Sequence, residues 1–123
     1  MAEFKNEKKG IGLGFALNGI RTFFKECRNA KIHLLAALLA VIAGFALRIH
    51  PSDWGWILLS ISLVFITEML NTSIEKLADE VTLEKNPEIG KLKDISAGAV
   101  LISALFAVAV GLIVFIPAVL RLF

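Results

Sequence analysis

A single cysteine, Cys27, among 123 residues excludes an intrachain disulfide and offers no cysteine-based metal-site spacing. There is no internal repeat and no low-complexity segment. The first residues lack the pattern of a signal peptide: Glu3, Lys5, Glu7, Lys8 and Lys9 lead into a broken amphipathic run with no small-residue cleavage site behind a compact apolar stretch. Gly10, Gly12 and Gly14 resemble a phosphate loop, but no Lys-Ser/Thr pair follows and no strand precedes, so they read as a flexible or tightly packed helix start. A net charge of +2 says little about partners, and no nucleic-acid partner is expected. The most consequential absence is charge itself, since residues 97–120 carry none.

What is present is hydrocarbon. The chain is 57% hydrophobic with a mean hydropathy of +0.76, well above a soluble composition. One domain fits this length. Three stretches reach the roughly 20 residues a membrane span needs. Residues 32–49 carry ionisable groups only near their ends, at His33 and Arg48; the second span, about 54–77, has an apolar run over 54–74 interrupted by Glu68; and 96–120 form the third span. Ahead of them, residues 11–28 place Leu13, Leu17, Ile20, Phe24 and Cys27 on one helical face and Asn18, Arg21, Lys25 and Arg28 on another, the profile of a helix lying in the membrane interface. The fold class expected is an all-α membrane protein with an amphipathic surface helix and three transmembrane helices.

Lysine and arginine set the orientation. Seven fall in the N-terminal segment through Lys31 and four in the stretch 76–93, against Arg48 alone in the second loop and Arg121 alone at the C-terminus. The positive-inside rule then puts the N-terminus and a 79–93 loop in the cytoplasm and the C-terminus outside. Small residues recur every fourth position at Ala36, Ala40 and Gly44 and at Ala99, Ser103, Ala107 and Gly111, which predicts close helix packing. Trp54 and Trp56 read as interfacial anchors, and Pro117 sits near an outer helix end.

Against this background Glu68 stands out. Fourteen uncharged residues, 54–67, precede it. A carboxylate in hydrocarbon costs about 2.5 to 3.5 kcal/mol on insertion scales, which makes it a candidate functional group. Positions 68, 71, 72, 75 and 79 fall on one helical stripe, so Glu68, Asn71, Thr72, Glu75 and Asp79 line one face as the helix leaves the bilayer. Lys93 and Asp94 face the same aqueous surface from the start of the third span; alone they read as an anchor beside a helix N-cap. Clustered acids suggest Mg²⁺, a nearby lysine suggests phosphate, and together they suggest phosphoryl transfer at a membrane surface.

The run Glu68-Met69-Leu70-Asn71-Thr72-Ser73-Ile74-Glu75, then Asp79, then Gly90-Lys91-Leu92-Lys93-Asp94-Ile95-Ser96-Ala97-Gly98-Ala99-Val100-Leu101, closely resembles the prokaryotic diacylglycerol kinase and undecaprenol kinase family. Asn29-Ala30-Lys31-Ile32-His33 fits as well, and the resemblance covers essentially the whole chain. It implies a homotrimeric integral membrane kinase that moves the γ-phosphoryl group of ATP to a lipid hydroxyl with Mg²⁺. Carried over by position, Glu68 matches the general base and Glu75 a metal-binding glutamate near the ATP phosphates. Asn71 matches a polar position that orients Glu68 or the phosphate. Lys93 and Asp94 match nucleotide-binding positions, and Glu84, Lys85 and Asn86 a loop contacting the adenosine. Asp79 matches a position whose role is either functional or structural.

The chain departs from the family's pattern in two places. Where the family carries a second metal-binding glutamate, two residues before the asparagine matched by Asn29, this chain has Cys27; the acid is the neighbouring Glu26, turned about 100° on a helix. Either Glu26 takes over as ligand, or position 27 is the ligand position and is weakened here. Lys8 and Phe15 stand where the enterobacterial branch has another basic residue and a tyrosine, and Ala97 replaces a serine; with Ile32-His33 these features lean toward undecaprenol over diacylglycerol as the lipid alcohol. A catalytically impaired scaffold, resting on Cys27, and a small transporter using Glu68 as a carrier carboxylate are the readings from other classes.

Overall fold

Cys27 divides the N-terminal half of the chain. In the computed structural model, which describes residues 12–82 and 84–123, helix α1 spans Leu13–Glu26 and α2 spans Arg28–Ala46, with Cys27 alone between them in an extended conformation. Its N–H closes α1 on the Phe23 carbonyl and its carbonyl accepts from Ala30 N–H, so one residue ends one helix and starts the next. Cys27 and Glu26 therefore do not lie on one continuous helix, and the 100° rotation expected between them does not apply. Gly12 precedes α1 at φ 81°, in the left-handed region that glycine enters without steric cost.

Helix α2 ends in a Schellman turn: Ile49 N–H bonds to Gly44 O and Arg48 N–H to Phe45 O, with Arg48 at φ 54° in the place usually held by glycine. Helix α3, Pro51–Val81, starts with proline at its first position, where the missing N–H has no helical partner to lose, and with Asp53 in its positive first turn. Helix α4, Pro87–Leu120, repeats the device: Asn86 caps it by accepting from the N–H groups of Glu88 and Ile89, and Pro87 follows.

All four described elements are helices, and α2, α3 and α4 are long and apolar enough to cross a membrane. At 31 and 34 residues, α3 and α4 run about 46 and 51 Å, well past a roughly 30 Å hydrocarbon core. The cytoplasmic loop expected over 79–93 is therefore corrected to residues 82–86, because the polar ends of both helices continue beyond the apolar runs. Likewise α2 begins four residues before the expected 32–49 span and ends three residues short of it. Asp94, read above as a helix cap, is the eighth residue of α4 and exposed.

The antiparallel α3–α4 pair holds most of the buried surface. Ile57, Val64 and Ala78 on α3 and Ser96, Ser103 and Val110 on α4 are buried at multiples of seven residues, the seam spacing of shallow-angle helix packing. The predicted seam at 99/103/107/111 is split: Ser103 faces α3, Ala99 is exposed, and Ala107 and Gly111 line an apolar gap shared with Ala36 and Ala40 of α2. Gly44 is the tight α2–α3 contact. Trp54, expected at the interface with Trp56, lies half-buried on Gly44 and against Phe45, while Trp56 is exposed.

Candidate active site

The bend at Cys27 brings the α1–α2 junction against the polar end of α3. Phe23 and Phe24 of α1 pack edge-on or tilted against Phe65 of α3, and this aromatic cluster ties the amphipathic helix to the site. Above it opens a hollow of about 480 Å³, lined by Glu26, Cys27, Arg28 and Asn29 from the junction and by Glu68, Asn71, Thr72, Glu75, Lys76 and Asp79 from α3. The stripe read from helical period is thus one wall of a real cavity.

Depth orders its acids. Glu68 is 5% exposed at the apolar end, whereas Glu75 and Asp79 are exposed toward the polar end. A carboxylate this buried needs a hydrogen-bond partner. His33 of α2 supplies it, with Nε2 3.2 Å from Glu68 Oε1. Asn71 donates to Glu75 Oε1 at 3.1 Å, and its own carbonyl oxygen lies 2.6 Å from the hydroxyl of the buried Ser96. Ser96 Oγ also lies 2.9 Å from the Lys93 carbonyl, so α4 fixes Asn71, and Asn71 in turn fixes Glu75.

A second hollow, about 500 Å³, lies beside the first at the α3–α4 turn, lined by Asp79, Thr82, Glu84, Lys85, Asn86 and Lys93 among others. Asp79 lines both hollows, and its carboxylate accepts from Lys93 Nζ at 2.7 Å, so a cation stands where the two meet. The Asn86 side chain is engaged in capping α4. Asp94 and the exposed Phe15 line neither hollow, and Lys8 lies outside the described residues.

At the doubtful position, both candidates reach the first hollow. The Glu26 carboxylate accepts from Lys76 Nζ at 3.0 Å, and Cys27 Sγ lies 3.5 Å from Thr72 Oγ1. Among the described residues no three of His, Cys, Asp and Glu converge as a self-sufficient metal site. His33 and Ser96 had no predicted role. Their signal is spatial: each meets the α3 face from another helix, 35 and 25 residues away in sequence.

Comparison with known proteins places the chain in a family. The sequence pattern of the family described as prokaryotic diacylglycerol kinase matches residues 14–115. The chain is similar to an undecaprenol kinase of Bacillus subtilis, at 37% identity over 90 residues covering 73% of each chain. It is similar to a diacylglycerol kinase of Synechocystis, at 32% over 113 residues, which is 91% of this chain and 65% of that relative's length. It is similar also to a diacylglycerol kinase of Escherichia coli, at 30% over 95 residues, 77% of this chain and 78% of the relative.

Proposed function

This chain belongs to the prokaryotic diacylglycerol kinase family, and on that premise we propose that it transfers the γ-phosphoryl group of ATP to the hydroxyl of a membrane lipid alcohol. The family and the three apolar helices make it a multi-pass bacterial membrane protein. The observation that carries the proposal is the depth order on α3: a buried carboxylate at the apolar end and exposed acids beside a lysine at the polar end. A lipid hydroxyl approaches from the bilayer and a nucleotide from water, and the two meet along one helical face.

In this reading Glu68 accepts the proton of the lipid hydroxyl as its oxygen attacks the γ-phosphorus and ADP leaves with the bridging oxygen. Asn71 holds Glu75 in place from Ser96. Lys93 turns from Asp79 to a phosphate oxygen, and Glu84 and Lys85 line the hollow offered to the adenosine. The oxygen-rich donor set suits Mg²⁺: Glu75 would hold it, with phosphates and water completing its shell, whereas Glu26 is engaged by Lys76 and the Cys27 thiol is too soft a ligand. When bound with ATP, Mg²⁺ supplies neutralisation of the phosphate charge.

The proposal includes a cytoplasmic N-terminus and 82–86 loop, from the lysine and arginine asymmetry, a surface-lying α1, and a homotrimer that shelters the polar face from lipid. Undecaprenol is the favoured acceptor, supported by the name of the Bacillus relative; diacylglycerol is the second reading, supported by the names of the other two. Purified protein in nanodiscs, given labelled ATP and each lipid side by side, tests this. A higher kcat/KM for undecaprenol supports the first reading, a higher value for diacylglycerol the second, and labelling of neither refutes the kinase.

A further inference from the structure

The contact between His33 and Glu68 joins two helices at a buried carboxylate. Glu68 Oε1 has one side-chain hydrogen-bond partner among the described residues, His33 Nε2 at 3.2 Å. Among the described residues no buried side-chain nitrogen or oxygen lacks a partner, so this bond is what satisfies the Glu68 carboxylate. The imidazole is itself held. Its ring meets Phe65 edge-on, with centroids 6.4 Å apart, and Phe65 is gripped by Phe23 and Phe24 of α1. On its other side His33 borders the apolar gap lined by Ala36, Ala40, Ala107 and Gly111, where no carboxylate, amide or charged group competes for the ring nitrogen.

A carboxylate has two oxygens, and a base needs one of them free and aimed. We infer that His33 is the positioning residue for Glu68: its Nε2–H donates to Oε1 and fixes the carboxylate plane, so that Oε2 is left pointing to the lipid hydroxyl. This rests on the kinase reading above and on Glu68 as its base. The proton balance is simple. The hydroxyl proton goes to Oε2, the hydroxyl oxygen gains the γ-phosphorus, ADP departs with the electron pair of the broken bond, and the Nε2–H stays on His33 throughout. The inference also gives α1 a task, because its two phenylalanines hold Phe65, and Phe65 holds the ring.

Misplacing a reacting group by about 1 Å can cost roughly a hundredfold in rate, so loss of the donor should lower kcat by about 10- to 100-fold. It should leave KM for ATP and lipid within about threefold, because His33 touches neither ligand in this scheme. The test compares His33→Leu and His33→Gln with Glu68→Gln in the full-length protein in nanodiscs. Leucine suits the apolar surroundings and donates nothing; glutamine can carry an N–H to about the place of Nε2. The expected result is a low kcat for His33→Leu at unchanged KM, with His33→Gln recovering at least tenfold of the loss.

In the Glu68→Gln background, His33→Leu should cost nothing further, since a positioning residue has nothing left to position. A dead Glu68→Gln beside a His33→Leu of parental kcat would overturn the inference and leave the kinase reading intact. So would equal losses in the leucine and glutamine variants, or a loss carried by KM alone. An active Glu68→Gln would overturn both.

Discussion

Replacing Cys27 by glutamate adds one carboxylate to the first hollow at the position where the family pattern carries one. Cys27 Sγ lies 3.5 Å from Thr72 Oγ1, and Cys27 lines that hollow from the α1–α2 junction while Glu75 lines it from α3. Two unit charges 4 Å apart interact by about 1 kcal/mol in bulk water, so a divalent cation gains about 2 kcal/mol from the new carboxylate, close to thirtyfold in affinity. Repulsion among the added carboxylate, Glu75 and Glu26 in the cation-free state offsets part of that gain by raising the charge already gathered there. The expected outcome is a fall of roughly tenfold in the Mg²⁺ concentration giving half-maximal phosphoryl transfer, with little change in kcat at saturating Mg²⁺. Glu26→Gln provides the control, because Glu26 is partly neutralised by Lys76 at 3.0 Å and both side chains are about half exposed. It should stay within about threefold of the parent across the same titration. The assay is initial-rate lipid phosphorylation against free Mg²⁺ at fixed ATP. A Cys27→Glu protein with an unchanged Mg²⁺ curve, beside a Glu26→Gln protein that has lost activity, would show that Glu26 is the ligand and the reasoning wrong.

Ser96→Ala removes the hydroxyl 2.6 Å from Asn71 Oδ1 and should raise the Mg²⁺-ATP requirement several-fold through Glu75, at a stability cost of about 1 kcal/mol, read by nucleotide titration and thermal melting. Gly44→Ala puts a methyl 2.7 Å from Trp54 Cη2; the variant should lose about 1 to 3 kcal/mol of packing, partly offset by helix propensity, and Gly44→Ala/Trp54→Leu should melt higher than Gly44→Ala alone. Arg48→Gly relieves a side chain held at φ 54° and should stabilise the protein by about 1 kcal/mol with kinase activity unchanged, measured in the same melting assay.

Period and hydropathy made much of this molecule legible. The three apolar runs became α2, α3 and α4, and the stripe from Glu68 to Asp79 became a cavity wall, because a 3.6-residue repeat leaves little freedom in which side chains share a face. What stayed hidden has physical causes. The break at Cys27 has neither proline nor glycine to announce it. The polar ends of α3 and α4 look like loop to a hydropathy reading, although Asn86 and Pro87 together spell a helix start. The His33–Glu68 and Ser96–Asn71 contacts depend on how separate helices register, and no local pattern encodes that.

The central claim is that Glu68 acts as the base of a lipid kinase, and transfer of labelled γ-phosphate from ATP to undecaprenol and diacylglycerol by the parent and by Glu68→Gln tests it most directly. The account predicts a labelled lipid with the parent. With Glu68→Gln it predicts a rate lower by about 10² to 10⁴, while ATP affinity and assembly remain those of the parent. Glu68→Gln turnover within tenfold of the parent, or no labelled lipid from the parent at all, would contradict it.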